Sequence, residues 1–202
     1  RFEPEVVPLS VPQRRGGPIV FARDEGIRPD TTAETLARLR TISPQGTVTA
    51  GNASQQNDAA AACLVVAEDR LDELGLEPLG FLDQWAAAGC HPARMGIGPV
   101  PAVEKLAARK GTSVHAFLDE LDLVELNEAF AVQVLAVLDG WGWRDDDRIN
   151  VNGSGISLGH PVGATGVRML TTLLHELDRR SGAAGLVTMC VGGGQEIGRA
   201  HV

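Results

Sequence analysis

Four polar residues, at three places in the chain, sit where side-chain type and neighbours could support chemistry. His160 lies in the stretch NVNGSGISLGHPVGATG (Asn150–Gly166), between Gly159 and Pro161. Cys190 closes the apolar run AAGLVTMC and is followed by VGGG. Asn127 and Glu128 follow DLVEL and open NEAFAVQVLAVLDG. An imidazole in a glycine corner lets a substrate or a second backbone come close enough for proton transfer, or it is simply a turn residue. A cysteine at the end of a strand, before bare amides, is well placed to react, and the N–H groups of Gly192 to Gly194 could face a developing oxyanion. The competing reading is a buried structural thiol, which also suits Cys63 in AAAACLVVA; Cys90, in AAGCHPARMG, is undecided. Asn127 either caps the following helix or helps its open N–H end order a water or a carbonyl.

Other chemistries fit poorly. The glycine stretch lacks the GK[ST] ending of a phosphate loop, and Leu158 stands where a dinucleotide fingerprint needs its third glycine. His160 has no second histidine or carboxylate at helical spacing, and Cys63, Cys90 and Cys190 form no CxxC pair, so no metal site and no disulfide framework is expected. A net charge of -8 argues against nucleic acid as a partner. No apolar run reaches membrane length and no basic, apolar leader is present. Widely spaced cysteines make a reducing, cytoplasmic setting the expectation. The chain starts Arg1-Phe2-Glu3 without Met, as a processed chain or a piece of a longer protein would.

The elements that must position these residues alternate. Residues 1–30 read as irregular, with β-like EVVPLSV and PIVFA. Thr31 or Thr32 is placed to cap a helix AETLARLR. CLVVA reads as a buried strand, followed by a charged amphipathic helix closed by Gly75. A new strand begins after Pro78, which sets a boundary between residues 1–77 and 78–202. PVPAVEKLAARK is a helix with proline in its first turn and Gly111 after its end. TSVHAFLDEL is a shorter helix. DLVEL is a strand, and NEAFAVQVLAVLDG is a helix apolar on nearly every face, closed by Gly140. RINVNG is a strand. GVRMLTTLLHELDRR is a helix with Val167, Leu170, Leu174 and Leu177 in one stripe. AAGLVTMC is a strand and VGGGQEIG a turn. Strands alternating with helices give an α/β class with a layered sheet. The 44% apolar share over 202 residues is enough for a sizeable core.

Three stretches in one order, NEAFA (Asn127–Ala131), GHPVGATG (Gly159–Gly166) and CVGGGQ (Cys190–Gln195), together resemble the thiolases. GTVTAGNAS (Gly46–Ser54) and MGIGPVPA (Met95–Ala102) extend the likeness, which runs from about Asp24 to about Gly198. The resemblance implies a layered αβαβα fold, here mainly its C-terminal half. It implies thiolytic cleavage of 3-ketoacyl-CoA, or the reverse Claisen condensation, through an acyl-cysteine, within fatty acid metabolism. His160 would activate the nucleophilic thiol, and Cys190 would move the proton on the α-carbon of acetyl-CoA. Asn127 would hold a water completing one oxyanion site, and the Gly192 amide would serve the other. Ser54 and Met95 match positions that contact the pantetheine arm. Coenzyme A is then a co-substrate, with no covalently bound cofactor, and a homodimer or homotetramer is implied.

The sequence departs from the family pattern at Ser154-Gly155, Gln55-Gln56 and Glu196, which bears on acyl-chain preference. The larger departure is that the family's nucleophilic cysteine belongs to a first half that these residues do not match. Neither Cys63 nor Cys90 fits that role. Two other readings keep the motifs: a non-catalytic CoA-thioester-binding or subunit-interaction module, and a hydrolase with Cys190 as nucleophile and His160 as base. The hydrolase would cleave model thioesters without CoA. The thiolase reading predicts that the 202-residue chain, incubated alone with acetyl-CoA, accumulates no acyl-thioester by intact mass. Stable acylation would contradict it.

Overall fold

Runs such as DLVEL and GLVTMC put alternate side chains on opposite faces of a strand, and the computed structural model builds its sheet on them. The structure describes residues 2–145 and 147–200, with the side chains of 195–200 outside the description. Two units separate, Arg1–Leu39 and Arg40–Val202.

In the first unit, β1 (Leu9–Val11) pairs antiparallel with β2 (Ile19–Phe21). A short helix α1 (Ala33–Ala37) starts at Thr32. The Thr35 amide donates to Thr32 Oγ1 at 3.2 Å and the Thr32 amide to Thr35 Oγ1 at 2.9 Å, a reciprocal cap. The ribbon's side chains are exposed, as an isolated two-stranded pair leaves them.

The second unit runs α2 (Leu71–Leu74), β3 (Gln84–Gly89), α3 (Pro99–Lys110), α4 (Val114–Asp119), β4 (Leu123–Leu126), α5 (Ala131–Trp141), α6 (Gly155–Leu158), α7 (Thr165–Arg180), β5 (Gly185–Val191) and β6 (Gln195–Ala200). The sheet order is β3-β6-β5-β4. β4 and β5 are parallel, with Leu126 opposite Thr188, and the other pairs are antiparallel. Val124, Leu126 and Leu186 pack with α3, α4 and α5 through Leu106, Phe117 and Val137. Leu123 and Val187 face the other way, onto Met169, Leu173 and Leu177 of α7.

Both sheet edges are closed. On β3, Lys105 Nζ donates to the Ala87 carbonyl at 2.7 Å, and Arg109 donates to that of Trp85. Beside β4, Ile149 bridges Val124 and the Asn150 amide donates to the Val124 carbonyl at 2.9 Å. At the start of β4, Asp122 Oδ2 accepts the amides of Ala183 and Ala184 at 2.7 and 2.9 Å, which hold its carboxyl below the usual range.

Several expectations change. CLVVA is no strand: residues 56–67 form neither helix nor strand, Cys63 is exposed, and Leu64 and Val65 are 78% and 75% exposed. The segment is apolar as expected, but no described strand pairs with it. A cavity of about 640 Å³ lies between this region and α7, lined by Leu64, Leu82, Leu170, Leu174 and Val187; none of the expected site residues lines it. RINVNG contributes one bridge, not a strand. The helix after Asn127 begins at Ala131 and ends at Gly142, with φ +61°. Gly140 lies inside it, where a Cβ would sit 2.8 Å from Val100 Cγ2. Val132 and Leu135 are exposed, so the helix is not buried all round. The buried face of α7 is Thr165, Met169, Leu173, Glu176 and Leu177; of the expected stripe Leu177 lies on it, and Val167, Leu170 and Leu174 are half-buried beside it. QEIG begins a strand rather than continuing the turn, because β6 returns antiparallel on β5.

Leu173 is 1% exposed and packs so closely on β5 that a Cβ on Gly185 would lie 2.7 Å from its Cδ1. Leu173→Ala is expected to cost about 2–5 kcal/mol, read as a lower urea midpoint at unchanged slope.

Candidate functional site

The site is built where strands end and the chain turns into helices. The Asn127 amide, just past β4, donates to the Thr188 carbonyl of β5 at 3.0 Å, and Asn127 is fully buried. Asn127 therefore does not cap α5: the N-cap position is Phe130, directly before Ala131. Asn150 holds this strand end from outside. Its side chain accepts the Leu126 amide at 2.9 Å and donates to the Leu126 carbonyl at 2.8 Å, copying a neighbouring strand. Its φ of +46° is one that asparagine tolerates better than most residues.

His160 is clamped from three directions. Its amide donates to the Gln55 carbonyl at 2.8 Å. Ring Nδ1 lies 2.8 Å from Thr165 Oγ1, and ring Nε2 lies 3.4 Å from Asn127 Nδ2. With the Asn127 side-chain amide donating to Nε2, the ring proton sits on Nδ1 and is donated to Thr165. That tautomer leaves Nε2 as the basic nitrogen. Asn127 Oδ1 is then a buried acceptor with no hydrogen-bond partner among the described residues.

Two glycines permit the approach. Gly159 has φ +100°, and a Cβ there would overlap the Asn57 carboxamide. A Cβ on Gly155 would lie 2.7 Å from the Glu128 carbonyl oxygen and 2.9 Å from Asn127 Oδ1. The short helix α6 thus rests directly on the Asn127-Glu128 backbone. Glu128 fixes its start, with Oε2 accepting the Ile156 amide at 3.2 Å.

The other expected residues lie on β5 and in the chain's connections. Cys190 is buried on β5, two residues beyond Thr188. Ser54 donates its amide to the Ala129 carbonyl at 3.0 Å, next to a bridge between Ala53 and Phe130. Met95 is half-buried in the 3-10 turn Pro92–Ile97, and Gly192 is exposed in the loop between β5 and β6. Cys90 ties these two loops together: its amide donates to the Gly194 carbonyl at 2.8 Å and its thiol to the Met95 carbonyl at 3.9 Å. The Glu196 side chain lies outside the described residues. Among the described residues no group of three or more His, Cys, Asp or Glu could hold a metal ion, and no helix is long and apolar enough to cross a membrane.

Sequence reasoning passed over Thr165, Glu125 and Arg168. Glu125, on β4, is 3% exposed, and its Oε2 lies 3.8 Å from Arg168 Nη1 on α7. Burial pushes the Glu125 carboxyl up to about 8, against the pull of Arg168 and with help from Glu128 and Glu176. Burial, and then the charge of Arg168, hold His160 below the ordinary imidazole range. The available signal was the single carboxylate inside the otherwise apolar run LVEL.

Glu125 gives the fold a pH dependence. The folded carboxyl keeps its proton to about 8, whereas an ordinary one releases it near 4.5. Between these values the folded state binds the extra proton, so stability falls as pH rises through that window. Glu125→Gln cannot ionise. The wild type is therefore expected to lose more stability than this variant between about pH 5 and about pH 8 in urea titrations. Parallel losses would show that the carboxyl titrates normally.

Comparison with known proteins agrees with this architecture. The thiolase C-terminal domain model matches residues 76–201 and the thiolase N-terminal domain model residues 1–69. An acetyl-CoA acetyltransferase of Chromobacterium violaceum is 50% identical over 198 residues, which cover 98% of this chain and 49% of that protein. A probable acetyl-CoA acyltransferase of Staphylococcus aureus is 50% identical over 197 residues, covering 97% and 49%. The crystal structure of the Bacillus anthracis acetyl-CoA acetyltransferase matches with a TM-score of 0.86 at 43% identity, covering 98% of this chain and 49% of that one. Human mitochondrial 3-ketoacyl-CoA thiolase matches with a TM-score of 0.81 at 40% identity, covering 96% and 48%. The chain thus spans about half the length of the curated relatives it matches. On matched sequence, α/β fold and preserved motifs together, it belongs to the thiolase family.

Proposed function

We propose that the chain supplies the histidine, asparagine and second-cysteine side of a thiolase-type acyltransferase acting on acyl-CoA and CoA. The observation that carries this reading is the clamp on His160: Thr165 at Nδ1 and Asn127 at Nε2 hold a neutral ring with a basic nitrogen. A general base needs a lone pair at working pH, and an imidazole kept below its ordinary range has one.

In the reaction, a nucleophilic cysteine contributed by a companion half attacks the acyl carbonyl and His160 takes its proton. In condensation the bond to the CoA sulfur breaks and that proton goes to the departing CoA thiolate. In thiolysis the carbon–carbon bond breaks, the enolate of acetyl-CoA departs, and CoA then takes the acyl group from the cysteine. Cys190 then removes the α-proton of acetyl-CoA in condensation, or returns it to the departing enolate in thiolysis. The enolate oxygen must be stabilised as its charge forms, which fixed donors accomplish better than mobile solvent. Asn127 orders a water for this purpose, and its unpartnered Oδ1 is an acceptor for that water. The Gly192 amide serves the other oxyanion. Ser54 and Met95 bound the path of the pantetheine arm. Coenzyme A is a co-substrate and nothing is held covalently between turnovers. On this reading residues 1–77 belong to the end of the N-terminal domain and its loop region, and 78–202 to the C-terminal domain. The assembly is a cytoplasmic homodimer or homotetramer working in fatty acid metabolism, and the chain alone does not turn over.

The test supplies the absent half. The chain is co-expressed with a segment completing the relatives' length and carrying the reactive cysteine. The mixture is expected to cleave acetoacetyl-CoA only when CoA is added. Asn127→Ala and Cys190→Ser should each lower the rate by about 10²–10³ without releasing the companion half. A well-folded mixture that binds CoA but never turns over would favour the binding-module reading instead.

A further inference from the structure

Two ionisable residues unused by this chemistry lie on the elements that meet the His160 ring, and the periodicities of those elements put them on the ring's side. Glu125 and Asn127 are two residues apart along an extended run and share a face; Asn127 meets ring Nε2. Thr165 and Arg168 are three apart on α7 and also share a face; Thr165 meets ring Nδ1. The Glu125 carboxyl and Arg168 guanidinium approach to 3.8 Å, beyond hydrogen-bond reach. The Arg168 side chain is only 21% exposed. Arg168 Nη1 and Nη2 and Glu125 Oε2 have no hydrogen-bond partner among the described residues. A guanidinium withdrawn from water with both terminal nitrogens unused is an expensive way to join a helix to a strand. What such a charge does supply is a field in a region of low dielectric.

We propose that Arg168 is a positioning residue for His160: carried on the α7 face that brings Thr165 to ring Nδ1, and seated against Glu125, its buried charge acts on the imidazole alongside burial itself and helps keep the Nε2 lone pair available. This role rests on the acyltransferase reading for its purpose, but the charge on the ring can be measured without any turnover. Ionisable groups on the elements around the ring include Arg168 on α7, Glu125 on β4, Glu128 in the connection after β4 and Cys190 on β5; of these, Arg168 is the charge that acts on the ring. The segment that binds the His160 amide meets this corner through the uncharged Gln55 and Asn57, with Asp58 next along the chain and exposed. Glu125 keeps its proton to about 8, so while the imidazole titrates the carboxyl does not cancel the guanidinium. Glu128 is the opposing charge, and its carboxylate is engaged by the Ile156 amide and by Asn150 Nδ2.

The experiment follows the histidine ring signals of the 202-residue chain by NMR across the acid range, with His160→Asn assigning the His160 signal. In the wild type the His160 midpoint is expected below the ordinary imidazole value of roughly 6.5. Arg168→Met and Arg168→Gln should raise it by about one unit, whereas Arg168→Lys, which keeps the charge, should leave it within about half a unit. Amide dispersion reports whether each variant is folded. A wild-type midpoint at or above the ordinary value overturns the proposal even if no variant folds. So does an unmoved midpoint in a folded Met or Gln variant, or a rise with Lys as large as with Met. If these shifts hold while the reconstituted mixture shows no thiolysis, the acyltransferase reading fails and the effect of Arg168 on the ring stands.

Discussion

The parallel register that sets Leu126 opposite Thr188 is the constraint on which the site depends. It brings the Asn127 amide to the Thr188 carbonyl, and so fixes the first residue beyond β4 against the neighbouring strand. It also decides which β4 side chains face α7. A slip of one residue would turn Glu125 and Asn127 to the opposite face, into the layer filled by Leu106, Phe117 and Val137. Leu123 between the α7 leucines and Val124 among the α3 to α5 side chains make that slip costly on both faces. The hydrophobic pattern of a four-residue strand thus carries the polar residues into place.

From that anchor, precision passes to the imidazole through short links. Asn127 sits beneath α6, and the absence of a side chain at Gly155 allows the contact. α6 leads into Gly159 and His160, and α7 begins with the threonine that meets the far side of the ring. Each link is a hydrogen bond or a close backbone contact. The ring's orientation is therefore set by the same elements that form the sheet layers, not by a mobile loop.

Much of this is legible in the residues themselves. Asn127, His160 and Cys190 stand out through the motifs around them, and α3, α4, β4 and β5 through periodicity and end signals such as Gly111. The failures have physical causes. CLVVA has a strand's composition, but a strand needs a partner, and no described segment supplies one. Asn127 resembles a cap because it precedes an apolar run, yet the strand continues to engage it and the helix starts later. The α7 stripe is misjudged because Met169-Leu170 and Leu173-Leu174 are apolar pairs, so periodicity fits either of two adjacent stripes and only packing on the sheet chooses. Glu125 and Arg168 escape notice because each is ordinary alone. Only the packing of α7 on β4 makes them a pair.

The closed edges of the central sheet have a consequence for assembly. The outward carbonyls of β3 already receive Arg109 and Lys105, and the far side of β4 is occupied by Ile149 and by an asparagine acting as a surrogate backbone. Another chain cannot lengthen this sheet without first evicting those groups. The bare, greasy stretch around Leu64 and Val65 has no such guard. Unwanted sticking between copies should therefore begin there, while the scaffold beneath the histidine stays insulated from it.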